Sequence, residues 1–414
     1  MSRNTMYALL AMLGIAAGTL VWRQWSYKRA TGTQQALTRI LEQTDENPGE
    51  RIRLLDSIMA AHPDDATIRR VAVYQKLRAH VELRSDSATV VRAVSDFLST
   101  DTSGAAFNFA SSVYADLAIN APEGLRYAHR ALAEVREVKR PKEMSEAQWA
   151  QQRRMMVGEC HHILGRLYAL SGQSRPALAA LRAAADSVPD SPVILLRMAE
   201  IHESMGQLDS ALESYMQALR LSHADTSALA GFARLYPAIH GPAVDPATVL
   251  DTLVAHARTK RRADLLAQRI SQPAAPFDLS TLAGRQYRLS DFRGKTLLLY
   301  FWATWCGPCK RQLPAIQEAH TWLKAHKDIE LLTVSFDQHF EVVPPFLARK
   351  RYDFPVVPGD EGLYKSYLLE GLPTCAVVDS TGTIRFKRLG NSDAGDFLEE
   401  LGWQLEAVSG KAPW

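Results

Sequence analysis

Four cysteines occur in the 414 residues, Cys160, Cys306, Cys309 and Cys375, and two of them stand three apart in Trp305-Cys306-Gly307-Pro308-Cys309. Two thiols at that spacing can interconvert between dithiol and disulfide, or they can supply half of a tetrahedral metal site. The metal option needs two further ligands. The chain has no second Cys-x-x-Cys, and only His161 and His162, next to Cys160, stand beside a cysteine. Redox chemistry is therefore favoured over zinc. Four cysteines in so long a chain do not make a disulfide scaffold.

The elements around the pair are legible. Residues 297–304, LLLYFWAT, form a continuous apolar run, as expected of a strand covered on both faces. Residues 310–327 then carry helical periodicity, with Leu313, Ile316, Ala319 and Leu323 on one face. Cys306 thus falls where a strand becomes a helix. A helix N-terminus carries roughly half a positive charge. That charge stabilises a thiolate and lowers a cysteine pKa from its usual value of about 8.5. Cys309, one turn further in, is expected to be more shielded and to stay a thiol until needed. Gly307 is expected to permit a tight turn, and Pro308 suits a first helical turn because it has no amide hydrogen to satisfy.

Further strands are expected at 330–336 (ELLTVSF), at 354–357, and in a hairpin of 374–378 with 383–389 around the turn Asp379-Ser380-Thr381-Gly382. A closing helix is expected over 393–408. Pro373, in Gly371-Leu372-Pro373-Thr374, precedes a strand, where a cis bond is tolerated. Strands alternating with helices predict an α/β domain.

The rest of the chain is different. Residues 33–272 are rich in Ala, Leu, Arg and Glu, with Gly and Pro between periodic stretches, which is helical composition. A 34-residue repeat is visible. Leu164, Gly165, Tyr168, Gly172, Ala177, Leu181, Ala184 and Pro189 recur as Met198, Ala199, His202, Gly206, Ala211, Tyr215, Ala218 and His223. This segment, clearest over 158–225, resembles a pair of tetratricopeptide repeats, departing from that pattern at His202 and His223. Residues 108–140 fit a degenerate third unit, 227–236 start another helix in register, and 34–84 hold two or three helices around His62-Pro63-Asp64-Asp65. Such helix pairs expose an apolar face that only a neighbour can cover, and stacked together they present a concave surface. A peptide or protein ligand of that surface is favoured over a plain spacer role. The last basic helix, 249–271, is broken by Gln272-Pro273-Ala274-Ala275-Pro276, so the α/β domain is expected over 273–410.

Residues 6–22, MYALLAMLGIAAGTLVW, carry no charge. They read as either a cleavable signal peptide or a single membrane anchor, with a basic flank to residue 29. Arg23, Lys28 and Arg29 after the run would slightly favour a cytoplasmic body. Bulk composition is that of a globular protein, 47% hydrophobic and 22% charged, with net charge +3 and a pI near 8.6. With no dense basic tract, nucleic acid is not an expected partner.

Residues 275–405 resemble the thioredoxin superfamily, in particular its membrane-anchored TlpA/ResA-like branch. The resemblance rests on Ala275-Pro276-Phe277-Asp278-Leu279, Leu289-Ser290-Asp291-Phe292-Arg293-Gly294-Lys295, Phe301 to Cys309, and Gly371-Leu372-Pro373-Thr374. It covers about a third of the chain. It implies that Cys306 is the nucleophile, Cys309 the resolving thiol, and Pro373 a cis proline facing the pair, with Trp305, Gly307, Pro308 and Thr374 in support. It also implies an enzyme outside the cytoplasm, and that overrules the charge count around residues 6–22. The expected location is a membrane-anchored protein facing the periplasm or another extracytoplasmic space, or a secreted one after signal cleavage.

The overall fold class is therefore multidomain: an anchor or signal, an all-α repeat domain and a thioredoxin-like α/β domain. The expected activity is thiol–disulfide exchange that reduces disulfides of extracytoplasmic proteins, with an upstream membrane or soluble thiol as electron donor. No cofactor beyond the redox-active disulfide Cys306–Cys309 is called for. The Gly-Pro pair resembles that of thioredoxin, whose potential of about −270 mV favours reduction. Two rivals stand beside this: a repeat scaffold with a vestigial thioredoxin domain, and a peroxiredoxin-like peroxidase. The peroxidase signature has Thr or Ser three residues before its cysteine, where this chain has Ala303.

Two departures from the family pattern concern the proton of Cys309. Tyr300 stands where thioredoxins have a buried aspartate, and Gln312 where close relatives of ResA have a glutamate. Asp337 is a candidate substitute, although a solvated strand-end aspartate is the plainer expectation. Cys375 and Cys160 are expected to be small buried hydrophobes rather than redox thiols.

Overall fold

The computed structural model describes residues 36–411, apart from 38–39, 42–43, 45–46, 142–143, 190, 224, 242–244, 282–283 and 391–393. The apolar run 6–22 lies outside the described residues. Among those described, no helix is long and apolar enough to cross a membrane. From Glu46 onward, contacts divide the chain into two compact units that meet in sequence between Arg258 and Thr259.

The first unit is helical. Its elements are α1 (Pro48–Ala61), α2 (Ala66–Glu82), α3 (Ser87–Thr100), α4 (Gly104–Leu117), α5 (Ala121–Glu137), α6 (Glu146–Leu170), α7 (Ser174–Ser187), α8 (Pro192–Ser204), α9 (Leu208–Leu221), α10 (Thr226–His240) and the first part of α11 (Pro246–Ala267). Several begin where a short polar side chain takes up an otherwise orphaned amide. Asp65 accepts from Thr67 and Ile68, Ser103 from Ala106, and Asp225 from Ala228.

The 34-residue spacing has a physical counterpart. Gly172 and Gly206 both adopt φ +72°, a left-handed conformation that favours glycine, and both end a helix with the same hydrogen bonds. The Gln173 amide donates to Tyr168 O and the Gln207 amide to His202 O, each at 2.9 Å. Ala177 and Ala211, Leu181 and Tyr215, and Ala184 and Ala218 occupy matching buried positions. At Gly165 a β-carbon would come within 2.6 Å of Leu181, so glycine is what lets α6 and α7 approach so closely. His202, one of the departures from the repeat pattern, is buried and shares a 2.7 Å hydrogen bond between Nδ1 and Gln207 Oε1.

The second unit is an α/β domain. Its elements are β1 (Gln272–Pro273), β2 (Asp278–Ser280), β3 (Gln286–Arg288), β4 (Thr296–Trp302), α12 (Gly307–Leu323), β5 (Ile329–Ser335), α13 (Val343–Lys350), β6 (Val356–Pro358), α14 (Glu361–Ser366), β7 (Thr374–Val378), β8 (Thr383–Leu389) and α15 (Ala394–Ser409). Six strands pair in the order β1-β8-β7-β4-β5-β6, and β2 and β3 form a separate hairpin. β4 is central, parallel to β5 and antiparallel to β7, and all seven of its residues are buried. Tyr300 meets Phe397 of α15, while Phe301, which points to the other face, meets Tyr367 after α14.

The strand expected at 354–357 is shorter and later, at Val356–Pro358, because Phe354 turns into the core beside Trp302. The hairpin β2–β3 and the helices α13 and α14 are too short to give a periodic signal and were not expected.

The domain boundary also differs from the expected Gln272–Pro273 break. The last turns of α11 belong to the α/β unit. Leu266 packs against the α/β core, and Arg261 donates from Nε to the buried Glu400 at 2.7 Å. Arg262 pairs with Glu406 at 2.9 Å, and the Ile270 amide donates to Arg385 O. Proline ends the helix at the expected place, but side-chain contacts rather than the helix break set the edge of the core. A fragment starting at Thr259 is therefore expected to be more stable than one starting at Pro273 by about 2–4 kcal/mol, from Leu266 packing and the arginine that Glu400 would otherwise lose. Urea titration of the two fragments checks this, and equal stabilities would place the boundary back at Gln272.

Candidate active site

The parallel β4 and β5 carry their C-terminal ends to one edge of the sheet, and the Cys306 motif follows β4 there. The Cys306 amide donates to Ala303 O at 3.2 Å, and Cys306 then caps α12. Its backbone is extended, φ −84° and ψ 105°, and its Sγ accepts from the Cys309 amide at 3.1 Å. A sulfur at that place feels both an amide and the positive end of a 17-residue helix. Pro308 sits in the first turn as expected. Gly307 is not needed for a turn. It lies in the first helical turn, its φ is not in the left-handed region, and a β-carbon there would meet no atom within 4 Å.

Cys306 and Cys309 are joined by a disulfide, with Cα atoms 5.2 Å apart. Both are buried, at 1% and 0% exposure, so Cys306 is as covered as Cys309 in this oxidised form. Trp305 beside it is half-buried and packs against the core.

The expected Pro373 and Thr374 reach the same edge. Thr374 on β7 stands opposite Phe301 on β4, which places Pro373 one step further toward the motif. The Leu372–Pro373 bond is cis. Pro373 O accepts from the Gly390 amide at 2.7 Å, and Thr374 Oγ1 donates to Gly371 O at 2.7 Å.

Behind Cys309 the two departures come together. The fully buried Tyr300 hydroxyl reaches Cys309 O at 3.5 Å and Gln312 Oε1 at 3.4 Å. Burial first, and neighbouring Cys375 second, push the Tyr300 phenol well above its ordinary range. Both groups are neutral. Gln312 is 2% exposed, and a β-carbon at Gly390 would come within 2.9 Å of its Oε1.

Asp337 is not the solvated residue expected. It is 4% exposed, because it extends β5 into the sheet edge rather than ending at the surface. Its carboxylate accepts from the Thr304 amide at 2.9 Å, the Thr304 hydroxyl at 2.6 Å and the Ser335 hydroxyl at 2.7 Å. Thr304 and Ser335 were missed from sequence. Their only signal was position, two residues before each end of this contact's neighbours Cys306 and Asp337.

Cys375 stands opposite Tyr300 on β7, and burial pushes its thiol up to about 12. Cys160 in α6 is likewise raised to about 12 by burial, and its Sγ donates to Asn108 Oδ1 at 3.2 Å. Both are free thiols. Among the described residues, no group of three or more His, Cys, Asp or Glu could hold a metal ion.

Residues 270–387 match the sequence model of the AhpC/TSA family. A thiol-disulfide oxidoreductase ResA of Geobacillus thermodenitrificans is 32% identical over 133 residues, 32% of this chain and 76% of that protein. The chain belongs to the ResA-type thiol-disulfide oxidoreductases. A second relative of that type, the sporulation thiol-disulfide oxidoreductase A of Bacillus subtilis, is 31% identical over 136 residues, 31% of this chain and 80% of its own length. The crystal structure of StoA from Bacillus subtilis aligns with 31% of the chain and 97% of its own, at 29% identity and a TM-score of 0.27. The AhpC/TSA match, residues 270–387, lies in the α/β unit.

The thiol environments make a labelling prediction. At pH 8, a thiol with a pKa of about 12 is thiolate in only about one molecule in ten thousand. After mild reduction, iodoacetamide is expected to label Cys306 first, with a midpoint below about 8.5, and to leave Cys160 and Cys375 unlabelled until the chain is unfolded. Peptide mass spectrometry reads the order, and native labelling of Cys375 would contradict the burial argument.

Proposed function

We propose that Cys306 and Cys309 are the redox-active pair of this oxidoreductase and that it reduces disulfides in protein substrates. The observation carrying the proposal is Cys306 as the cap of α12, its Sγ accepting from the Cys309 amide at the end of a fully buried strand. In the reduced enzyme the Cys306 thiolate attacks a substrate disulfide. One substrate sulfur leaves and takes a proton from solvent, and a mixed disulfide forms. Cys309 then loses its proton and attacks Cys306 Sγ. The second substrate sulfur leaves, and the Cys306–Cys309 disulfide closes. The substrate has gained two electrons, and an upstream thiol donor must return two to the enzyme. The chemistry needs no further cofactor.

Pro373 is assigned to the substrate-facing edge beside the pair, with Trp305, Gly307, Pro308 and Thr374 shaping its surroundings. The apolar run 6–22 is assigned as a signal or anchor that places the enzyme in an extracytoplasmic space, where substrate disulfides persist. The helical unit is assigned as a tetratricopeptide-like surface that recruits a peptide or protein partner. The recurrence of Gly172 geometry at Gly206 supports that reading.

Cys306→Ser is expected to abolish reduction of insulin, since a hydroxyl is no comparable nucleophile near neutral pH. Cys309→Ser is expected to trap substrate as a mixed disulfide on a non-reducing gel. Full turnover by Cys306→Ser would remove the pair from the mechanism.

Recruitment has its own test. A fragment starting at Thr259 should keep insulin activity but lose about a hundredfold in rate on a partner captured by the Cys309→Ser chain, because two linked contacts raise effective concentration. Equal rates for fragment and full chain on that partner would leave the helical unit as a spacer.

A further inference from the structure

The backbone ladder between β4 and β5 stops two residues short of the cysteine motif. Its last bond runs from the Phe336 amide to Trp302 O, at 2.8 Å. Beyond it Thr304 is 4% exposed, so its amide is cut off from water and has no strand partner left. The Asp337 side chain takes that place. One oxygen, Oδ2, accepts from the Thr304 amide, and the other, Oδ1, accepts from the Thr304 hydroxyl. The carboxylate therefore grips one residue at two points, which fixes direction as well as distance.

The grip is itself held. The fully buried Ser335 hydroxyl donates to Asp337 Oδ2 at 2.7 Å and accepts from the Asp337 amide at 3.1 Å. This clamp closes on the segment Ala303-Thr304-Trp305-Cys306, whose other internal tie is the Cys306 amide to Ala303 O. Rotation at Thr304 would swing Trp305 and the Cys306 sulfur together away from the α12 terminus.

We infer that Asp337 is a positioning residue for the thiol-disulfide reaction, aiming the Cys306 sulfur through its two-point hold on Thr304. The inference rests on Cys306 being the reactive thiol. It gives a buried acidic residue that sits far from Cys306 in sequence a defined task. That task is geometric: the Asp337 oxygens are occupied by Thr304 and Ser335, and the nucleophile is reached through the backbone. A misdirected sulfur lowers the rate of attack without any change in the reacting groups.

The test uses the full-length chain and four variants: Thr304→Val, Thr304→Ser, Asp337→Asn, and the double variant Thr304→Val with Asp337→Asn. Three quantities are read. These are the rate of Cys306 alkylation by iodoacetamide at pH 7 after reduction, the rate of insulin reduction, and the melting temperature. Thr304→Val is expected to slow alkylation and insulin reduction about tenfold, and Thr304→Ser to restore most of that loss. Asp337→Asn is expected to cost about tenfold, and the double variant little more than either single one, since both changes break one contact. Folded variants that alkylate and reduce within twofold of wild type would overturn the inference, as would losses that multiply in the double variant. Unfolding of both Thr304→Val and Asp337→Asn would also overturn it, making the clamp a requirement of the fold alone. A wild-type chain whose Cys306 neither alkylates nor reduces insulin would instead remove the reactive pair itself, and the two failures are thereby told apart.

Discussion

A sulfur that is to act as a thiolate at neutral pH needs positive potential where water is largely excluded. For the proposed role of Cys306 the source is the first turn of α12, where the Cys309 amide donates to Cys306 Sγ. A helix terminus is a weak and short-ranged field. It acts on the sulfur only if strand, turn and helix keep their relation to one another. Much of the α/β unit serves that requirement. β4 is buried along its whole length between two neighbouring strands, α12 is pinned by Leu313, Ile316 and Ala319, and the turn between them is clamped from β5 by Asp337.

The second sulfur lives in different surroundings. Cys309 is fully buried, and two neutral groups pack behind it, the Tyr300 hydroxyl and the Gln312 amide. The phenol is held protonated by burial, so it can donate a hydrogen bond but is a poor proton acceptor. The resemblance implied a carboxylate in this neighbourhood. A buried carboxylate close to the motif, Asp337, instead accepts from the Thr304 amide and hydroxyl.

The helical unit obeys a simpler rule. Each helix pair leaves an apolar face uncovered, and a neighbour at fixed spacing covers it. Small residues at the crossings set how near the helices come, which is why Gly165 faces Leu181 and Ala199 recurs in its place. The same economy explains the shared Gly172 and Gly206 geometry, since each pair must reverse direction within three residues.

The sequence alone determined what depends on local pattern. The buried strand before Cys306, the helix after it, the β7–β8 hairpin to the residue and the 34-residue recurrence were all legible, because apolar periodicity, proline and glycine act within a few residues; the cis bond at Pro373 was tolerated by the local pattern and implied by the resemblance. Short elements such as α14 and the β2–β3 hairpin carried too few residues for a period to show. Tertiary structure decided what depends on distant partners. Asp337 looked like an exposed strand end until β5 was placed beside β4, and only then did Thr304 become its partner. Gly307 looked like a turn residue until Cys306 proved to be the cap. The edge of the catalytic core moved back to Thr259 because Arg261 finds Glu400, 139 residues away, and Leu266 packs against the α/β core. Local preference is written in neighbouring residues, whereas burial and hydrogen-bond partnership are properties of what the folded chain brings together.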